Sequence, residues 1–244
     1  MKAMIFAAGL GTRLRPLTDT MPKALVPLCG RPLLWHVAHK IIGAGIDDIV
    51  VNVHHFSDMI AAYIEEQGQF GVRVQISLEK DRPLETGGGI MHARPLLEGC
   101  GKFLVHNVDI ISDLDLRWFL SQVEDDALST LLVSDRQSSR YLLFDDGMRL
   151  VGWTNTATGQ VRSPYAGLDP ARCRRYAFAG IHCISYRIFA DMEAEGEPEC
   201  FSIIDFYLAV ASRCTIRGVV ADGLRMVDVG KTGALAEAKE LLSL

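Results

Sequence analysis

The stretch Ala7-Ala8-Gly9-Leu10-Gly11-Thr12-Arg13-Leu14-Arg15-Pro16-Leu17-Thr18, followed by Pro22-Lys23, carries the residue types best fitted to hold an anion. Two alanines and two glycines put no bulky side chain between the backbone N–H groups and a ligand. Ala7, Ala8, Gly9, Gly11 and Thr12 are therefore candidate nucleotide-binding positions. Arg13 offers a two-pronged guanidinium and Lys23 a compact charge, so together they can neutralise a triphosphate tail. Two better-known glycine motifs do not fit. A P-loop closes on Gly-Lys-Ser/Thr, and a dinucleotide-binding turn needs a third glycine where Leu14 stands.

Two acidic strings complete the chemistry. His106-Asn107-Val108-Asp109 follows the apolar run Phe103–Val105, and Val227-Asp228-Val229-Gly230 ends a late apolar run. Carboxylates from Asp109 and Asp228 converging on a triphosphate suit one octahedral Mg²⁺, with phosphate oxygens and waters in the other positions. A third string, Leu84-Glu85-Thr86-Gly87-Gly88-Gly89, permits close approach of backbone to a base or ribose, chiefly at Gly87 and Gly88. His54-His55 does not read as a metal pair, because neighbours on a strand end point to opposite faces.

These residues need a scaffold that gathers them. Lys2–Phe6, Asp48–Val53, Val72–Leu78 and Phe103–His106 read as strands, and Pro32–Ala44, Ser57–Gln67, Thr86–Ala93 and Leu114–Gln122 as the helices between and after them. That alternation implies an α/β fold with a largely parallel sheet covered on both faces. Loops at the carboxyl ends of such strands form the ligand crevice, which is where the glycine loop and Asp109 fall. After about Asp125 the rhythm changes. Strands at Leu128–Val133, Tyr141–Phe144, Arg149–Trp153 and Phe178–Ile184 lead to helices near Arg187–Glu195 and Ile203–Ala211. Thr215–Val220 and Arg225–Val227 are expected to close the sheet, before a helix at Thr232–Leu242. One domain over 1–244 is expected, with a nucleotide-binding half at 1–125 and a sugar-phosphate-binding half at 126–244.

The pattern AAGxGTRLxPLT, then PKxLxPxxGxP through Lys23, Leu25, Pro27, Gly30 and Pro32, resembles the signature of the nucleoside-diphosphate-sugar pyrophosphorylases, the sugar-1-phosphate nucleotidyltransferases. The resemblance implies a Rossmann-like nucleotidyltransferase fold, a mostly parallel mixed sheet with helices on both faces. It implies that Arg13, Lys23 and Asp109 are catalytic, that Asp109 and Asp228 hold Mg²⁺, and that a nucleoside triphosphate and a sugar 1-phosphate are the substrates. Glu79 matches the residue carried to the base edge. An ionised carboxylate only accepts hydrogen bonds, so it takes N3–H of uracil or the two N–H groups of guanine. UTP is favoured and GTP comes next. The string LETGGGI most resembles short N-acetylmuramate-1-phosphate uridylyltransferases, with similar strings in mannose- and heptose-1-phosphate guanylyltransferases. Phe178-Ala179-Gly180-Ile181-His182 resembles the strand lining the sugar pocket. There Gly180 would admit the ring, while Asn155 and Asp205 could bond its hydroxyls. Val108 and Lys231 depart from the family pattern, standing where glycine and threonine are frequent. A regulatory subunit that only binds nucleotide-sugar is the competing class; the presence of all four charged residues favours catalysis.

Bulk properties bound the rest. With 25 basic against 30 acidic side chains, the formal charge of −5 argues against a nucleic-acid binder. The six cysteines include no CxxC pair, so buried reduced thiols are expected. No run approaches the roughly 20 apolar residues of a membrane span, so no membrane partner and a cytoplasmic location are expected.

Overall fold

The computed structural model describes residues 1–230 and 233–243. Lys231 and Thr232, including the expected departure at Lys231, lie outside the described residues. In the first half β1 (Lys2–Phe6) is followed by a short hairpin, β2 (Pro27–Leu28) and β3 (Arg31–Pro32), and by α1 (Leu33–Gly43). Next come β4 (Asp48–Val53), α2 (Ser57–Glu66), β5 (Arg73–Leu78), α3 (Glu85–His92), α4 (Arg94–Leu97), β6 (Lys102–Asn107), β7 (Ile110–Ser112) and α5 (Leu116–Ser121). The second half runs β8 (Ser129–Ser134), β9 (Arg140–Phe144), β10 (Leu150–Asn155), β11 (Gln160–Arg162), β12 (Arg174–Ser185), α6 (Ile188–Glu195), α7 (Ile203–Val210), β13 (Ile216–Val220), β14 (Met226–Asp228) and α8 (Ala234–Leu242).

The main sheet has ten strands, ordered β11-β10-β9-β12-β6-β1-β4-β5, with β8 on β12 and β13 on β8. β6, β1, β4 and β5 are mutually parallel, as β-α-β connections require. β12 runs antiparallel to β6, β8 and β9 and stitches the halves together. Strand alternation then divides the core. Ala3 and Ile5 of β1 face one layer with α1, α2, α5 and α8, while Met4 faces the other with α3, α4, α6 and α7. Both faces are therefore sealed by helices, and the ligand side is confined to the edge where the parallel strands end.

The expected elements are present, with boundaries shifted by a few residues. Gly45 follows α1 at φ +90°, a left-handed backbone that glycine adopts without strain just past a helix end. Two differences bear on the site. The strand expected at Phe178–Ile184 is twelve residues long, Arg174–Ser185. β14 does not close the main sheet as expected. It pairs antiparallel with β7 in a separate ribbon, Asp228 opposite Ile110.

Candidate active site

A cleft of about 440 Å³ opens at the carboxyl ends of the parallel strands. Its walls come from the loop after β1, from Asn52 of β4, from Glu79 after β5, from Thr86 of α3, from Asn107 at the end of β6 and from Val108 and Asp109 after it. Ala7, Ala8, Gly9, Gly11, Thr12, Arg13 and Lys23 all line it. Gly9 has open space where a Cβ would stand. Gly11 is bound by geometry instead, because its φ is +64° and a Cβ would lie 2.9 Å from Thr18 Cγ2. Thr18 Oγ1 donates to the Gly11 carbonyl at 2.8 Å and locks the turn.

The two aspartates meet because of the β7–β14 ribbon. Val229 N donates to Asp109 O at 2.8 Å, so the strings carrying Asp109 and Asp228 lie side by side. Asp109 is paired with a cation of the glycine-loop region, and Gly230 lies between Asp228 and a second one. Lys23 Nζ, almost fully buried, is paired with Asp109 Oδ2. A Cβ on Gly230 would lie 2.7 Å from Asp228 Oδ1 and 2.8 Å from Arg13 Nη2, so glycine is what lets that acid and that cation share the space. No cluster of three or more His, Cys, Asp or Glu side chains fit for a metal is found among the described residues. Two carboxylates on adjoining segments are oxygen donors of the kind a hard cation takes, with its remaining oxygens from ligand and water.

Glu79 also lines the cleft, yet both its oxygens are engaged. Oε1 accepts from Asn52 Nδ2 at 2.6 Å and Oε2 from Leu84 N at 2.8 Å. His54 Nδ1 and His92 Nε2 pair with the carbonyls of Glu79 and Leu78, so these histidines hold the same segment instead of a metal.

The positions expected at the base from the triple-glycine string need correction. Gly87 and Gly88 sit inside α3 and are buried. A Cβ on Gly87 would come 2.3 Å from the Phe201 ring, and one on Gly88 2.2 Å from the Glu199 carbonyl. Their smallness serves packing of α3 against residues 199–201. The same string presents Glu85 and Thr86 to the cleft instead. Glu85 holds a left-handed backbone, φ +59°, a conformation non-glycine residues adopt only under constraint.

The acceptor-side residues divide. Gly180, at φ +73°, forms the bulge of β12 and lies against Asn107, whose Nδ2 would be 2.8 Å from a Cβ there. Asn155 and Asp205 are not on the cleft wall and are held by local partners. Asn155 Oδ1 accepts from Ala157 N at 3.0 Å, and Asp205 is paired with Arg162 at 2.8 Å. Asn52, Phe6 and Asn107 were missed. A polar residue inside the apolar run Ile49–Val53 was the available signal for Asn52. Beneath the floor, His106 is fully buried, its Nδ1 paired with Asn107 O at 2.8 Å, and burial pushes its imidazole down to about 4.

Residues 2–143 match the family model described as nucleotidyl transferase. The chain belongs to the nucleotidyl transferase family. Sugar-1-phosphate transferases are among its relatives. An N-acetylmuramate alpha-1-phosphate uridylyltransferase of Caulobacter vibrioides is 34% identical over 92% of this chain and 90% of its own. The mannose-1-phosphate guanylyltransferase catalytic subunit beta of Xenopus tropicalis is 43% identical over 46% of this chain, and that match spans 32% of the frog protein. Among solved structures, an inositol-1-phosphate CTP transferase from T. maritima superposes with a TM-score of 0.79, covering 99% of this chain and 94% of that one at 17% identity, a likeness of fold. The Rossmann-like α/β nucleotidyltransferase fold expected from the sequence is thus the fold observed.

Proposed function

We propose that this nucleotidyl transferase moves a uridylyl group from UTP to a sugar 1-phosphate, releasing pyrophosphate. The observation that carries the reading is that Arg13, Lys23 and Asp109 line one cleft at the sheet's carboxyl edge, with the segment that bears Asp228 running beside that of Asp109. The full-length likeness to an N-acetylmuramate alpha-1-phosphate uridylyltransferase favours uridine and an acidic amino sugar. GTP with mannose 1-phosphate is the second reading, favoured by the identity to the guanylyltransferase over the first half of the chain.

In this reading the acceptor's phosphate oxygen attacks the α-phosphorus in line. That oxygen is already anionic, so no general base is required, and catalysis is positioning plus charge stabilisation. The glycine loop seats the triphosphate. Arg13 grips the outer phosphates bidentately and Lys23 steadies charge at the transferring group. Asp109 and Asp228 would hold Mg²⁺, which supplies a Lewis acid beside the phosphates. Residues 126–244 would form the acceptor half, where Gly180 lets β12 pack closely on Asn107 of the cleft wall. The six free cysteines accord with a reducing, cytoplasmic setting, and no helix among the described residues is long and apolar enough to cross a membrane.

The deciding experiment is pyrophosphate release from four nucleoside triphosphates, each against a panel of sugar 1-phosphates with Mg²⁺. One strongly preferred pair supports the reading. Tight nucleotide-sugar binding with no release from any pair would replace it with a binding subunit.

A further inference from the structure

The floor of the cleft contains one polar atom with nothing to do. Asn52 is fully buried and lines the cleft. Its Nδ2 donates to Glu79 Oε1 at 2.6 Å, but its Oδ1 has no donor among the described residues. The amide cannot turn over to relieve this, because turning would set oxygen against the Glu79 carboxylate. Glu79 is itself fixed by Leu84 N on its other oxygen. The arrangement is tightly enclosed, since a Cβ on Gly89 would stand 2.8 Å from Glu79 Oε1, 3.1 Å from Phe6 and 3.4 Å from Asn52 Nδ2. The third glycine of the string therefore makes room for this carboxylate–amide pair.

We propose that Asn52 is the residue that selects the nucleobase, accepting an N–H from a base ring nitrogen on Oδ1, with Glu79 as the positioning residue that engages the amide NH₂ and so leaves that oxygen as the free group. The inference rests on the nucleotidyl-transfer reading and refines it. Glu79, whose oxygens are occupied, acts through Asn52. A buried acceptor without a donor is costly, and a ligand that supplies the donor removes that cost. Uracil N3 and guanine N1 carry a hydrogen; cytosine N3 and adenine N1 carry a lone pair. The site therefore favours uracil over cytosine and guanine over adenine by one physical rule. A site whose buried polar group is left unpaired by the wrong ligand discriminates more strongly than one that merely fits shape.

The test reverses the polarity. In Glu79→Gln, the side-chain carbonyl keeps the Leu84 N–H, and the new NH₂ donates to Asn52 Oδ1. Asn52 then turns its own NH₂ to the cleft, and the floor changes from acceptor to donor. Calorimetric Kd values for UTP, CTP, GTP and ATP, together with kcat/KM for those that turn over, are measured in wild type, Glu79→Gln and Asn52→Leu. Thermal melts confirm that each variant is folded at the assay temperature. In Glu79→Gln, the preference for the ring-N–H base of the better pair (UTP over CTP, or GTP over ATP) is expected to fall by at least about 100-fold. In Asn52→Leu, the two bases of that pair are expected to bind within about tenfold of each other. A folded Glu79→Gln that keeps the wild-type ratio overturns the proposal. If that variant does not fold, a retained ratio in Asn52→Leu overturns it equally. Binding needs no acceptor, so wild type that binds with this selectivity but releases no pyrophosphate contradicts the transfer reading and leaves the base-reading result standing.

Discussion

Replacing Lys23 by methionine tests whether the Lys23–Asp109 pair belongs to the chemistry or to the fold. The lysine side chain is 9% exposed and the aspartate 21%. Breaking a fully buried pair costs about 3–5 kcal/mol, while exposed pairs are worth about 0–1 kcal/mol. A fifth of the Asp109 side chain still reaches water, so its uncompensated charge is partly solvated. A loss of about 1–2 kcal/mol follows, which for a chain of this size lowers the melting temperature by roughly 2–8 °C. The catalytic effect is separate and larger. Removing one preorganised group that stabilises transition-state charge typically costs about 10²–10³ in rate. Pyrophosphate release under saturating substrates, well below the melt, should therefore drop by that factor in a folded protein. Adding Asp109→Asn removes the stranded charge. The double variant should regain most of the lost stability and none of the rate, a non-additivity that a double-mutant cycle reads directly. Release by Lys23→Met within about threefold of wild type would refute the assigned role. A melt so lowered that the protein is unfolded in the assay would refute the energetic argument.

Gly88→Ala should lower the melting temperature by a few degrees. Its Cβ would stand 2.2 Å from the Glu199 backbone carbonyl, and overpacking of about 1–3 kcal/mol outweighs the helix-propensity gain of about 1 kcal/mol. Gly9→Ala, with open space around the new methyl, should leave the melt unchanged and raise the nucleotide KM. Chelation by EDTA should abolish pyrophosphate release and Mg²⁺ should restore it; in the proposed reading Asp228 binds the ion beside Asp109, so Asp228→Asn should raise the Mg²⁺ needed for half-maximal rate by about tenfold or more. Burial pushes His106 down to about 4 and His182 to about 3. The unfolded chain therefore binds more protons than the native one below about pH 6.5. Stability should be full above that pH and fall as the pH drops toward 4, by about 3 kcal/mol or more per histidine if the full shift is expressed. Melts between pH 7.5 and 4.5 check this, and His182→Gln should flatten the slope.

Much of the first half was legible because its signals are local. A β-branched run at Asp48–Val53, a proline before α1 and a glycine after it are each decided by neighbours within a few residues. The cleft's place also followed from topology alone, since loops at the ends of parallel strands have one edge to share. What the sequence hid are relations between distant segments. That Asp109 and Asp228 stand together depends on a three-residue ribbon between β7 and β14, separated by more than a hundred residues and too short to carry a pattern. Gly87 and Gly88 read as base-facing glycines because their packing partners, Phe201 and the Glu199 carbonyl, lie over a hundred residues away and nothing in the string names them. Glu79 is the sharpest case. Alone in the sequence it is a free acid available to a base, and its commitment to Asn52 and Leu84 exists only once β4 and β5 are side by side. The orphaned oxygen this leaves on Asn52 is a property of neither residue. It arises from a carboxylate with acceptors only meeting an amide with one donor side and one acceptor side, in a place where Gly89 admits nothing else. Recognition that depends on such an arithmetic of donors and acceptors is decided by which strands are neighbours, and only the folded chain settles that.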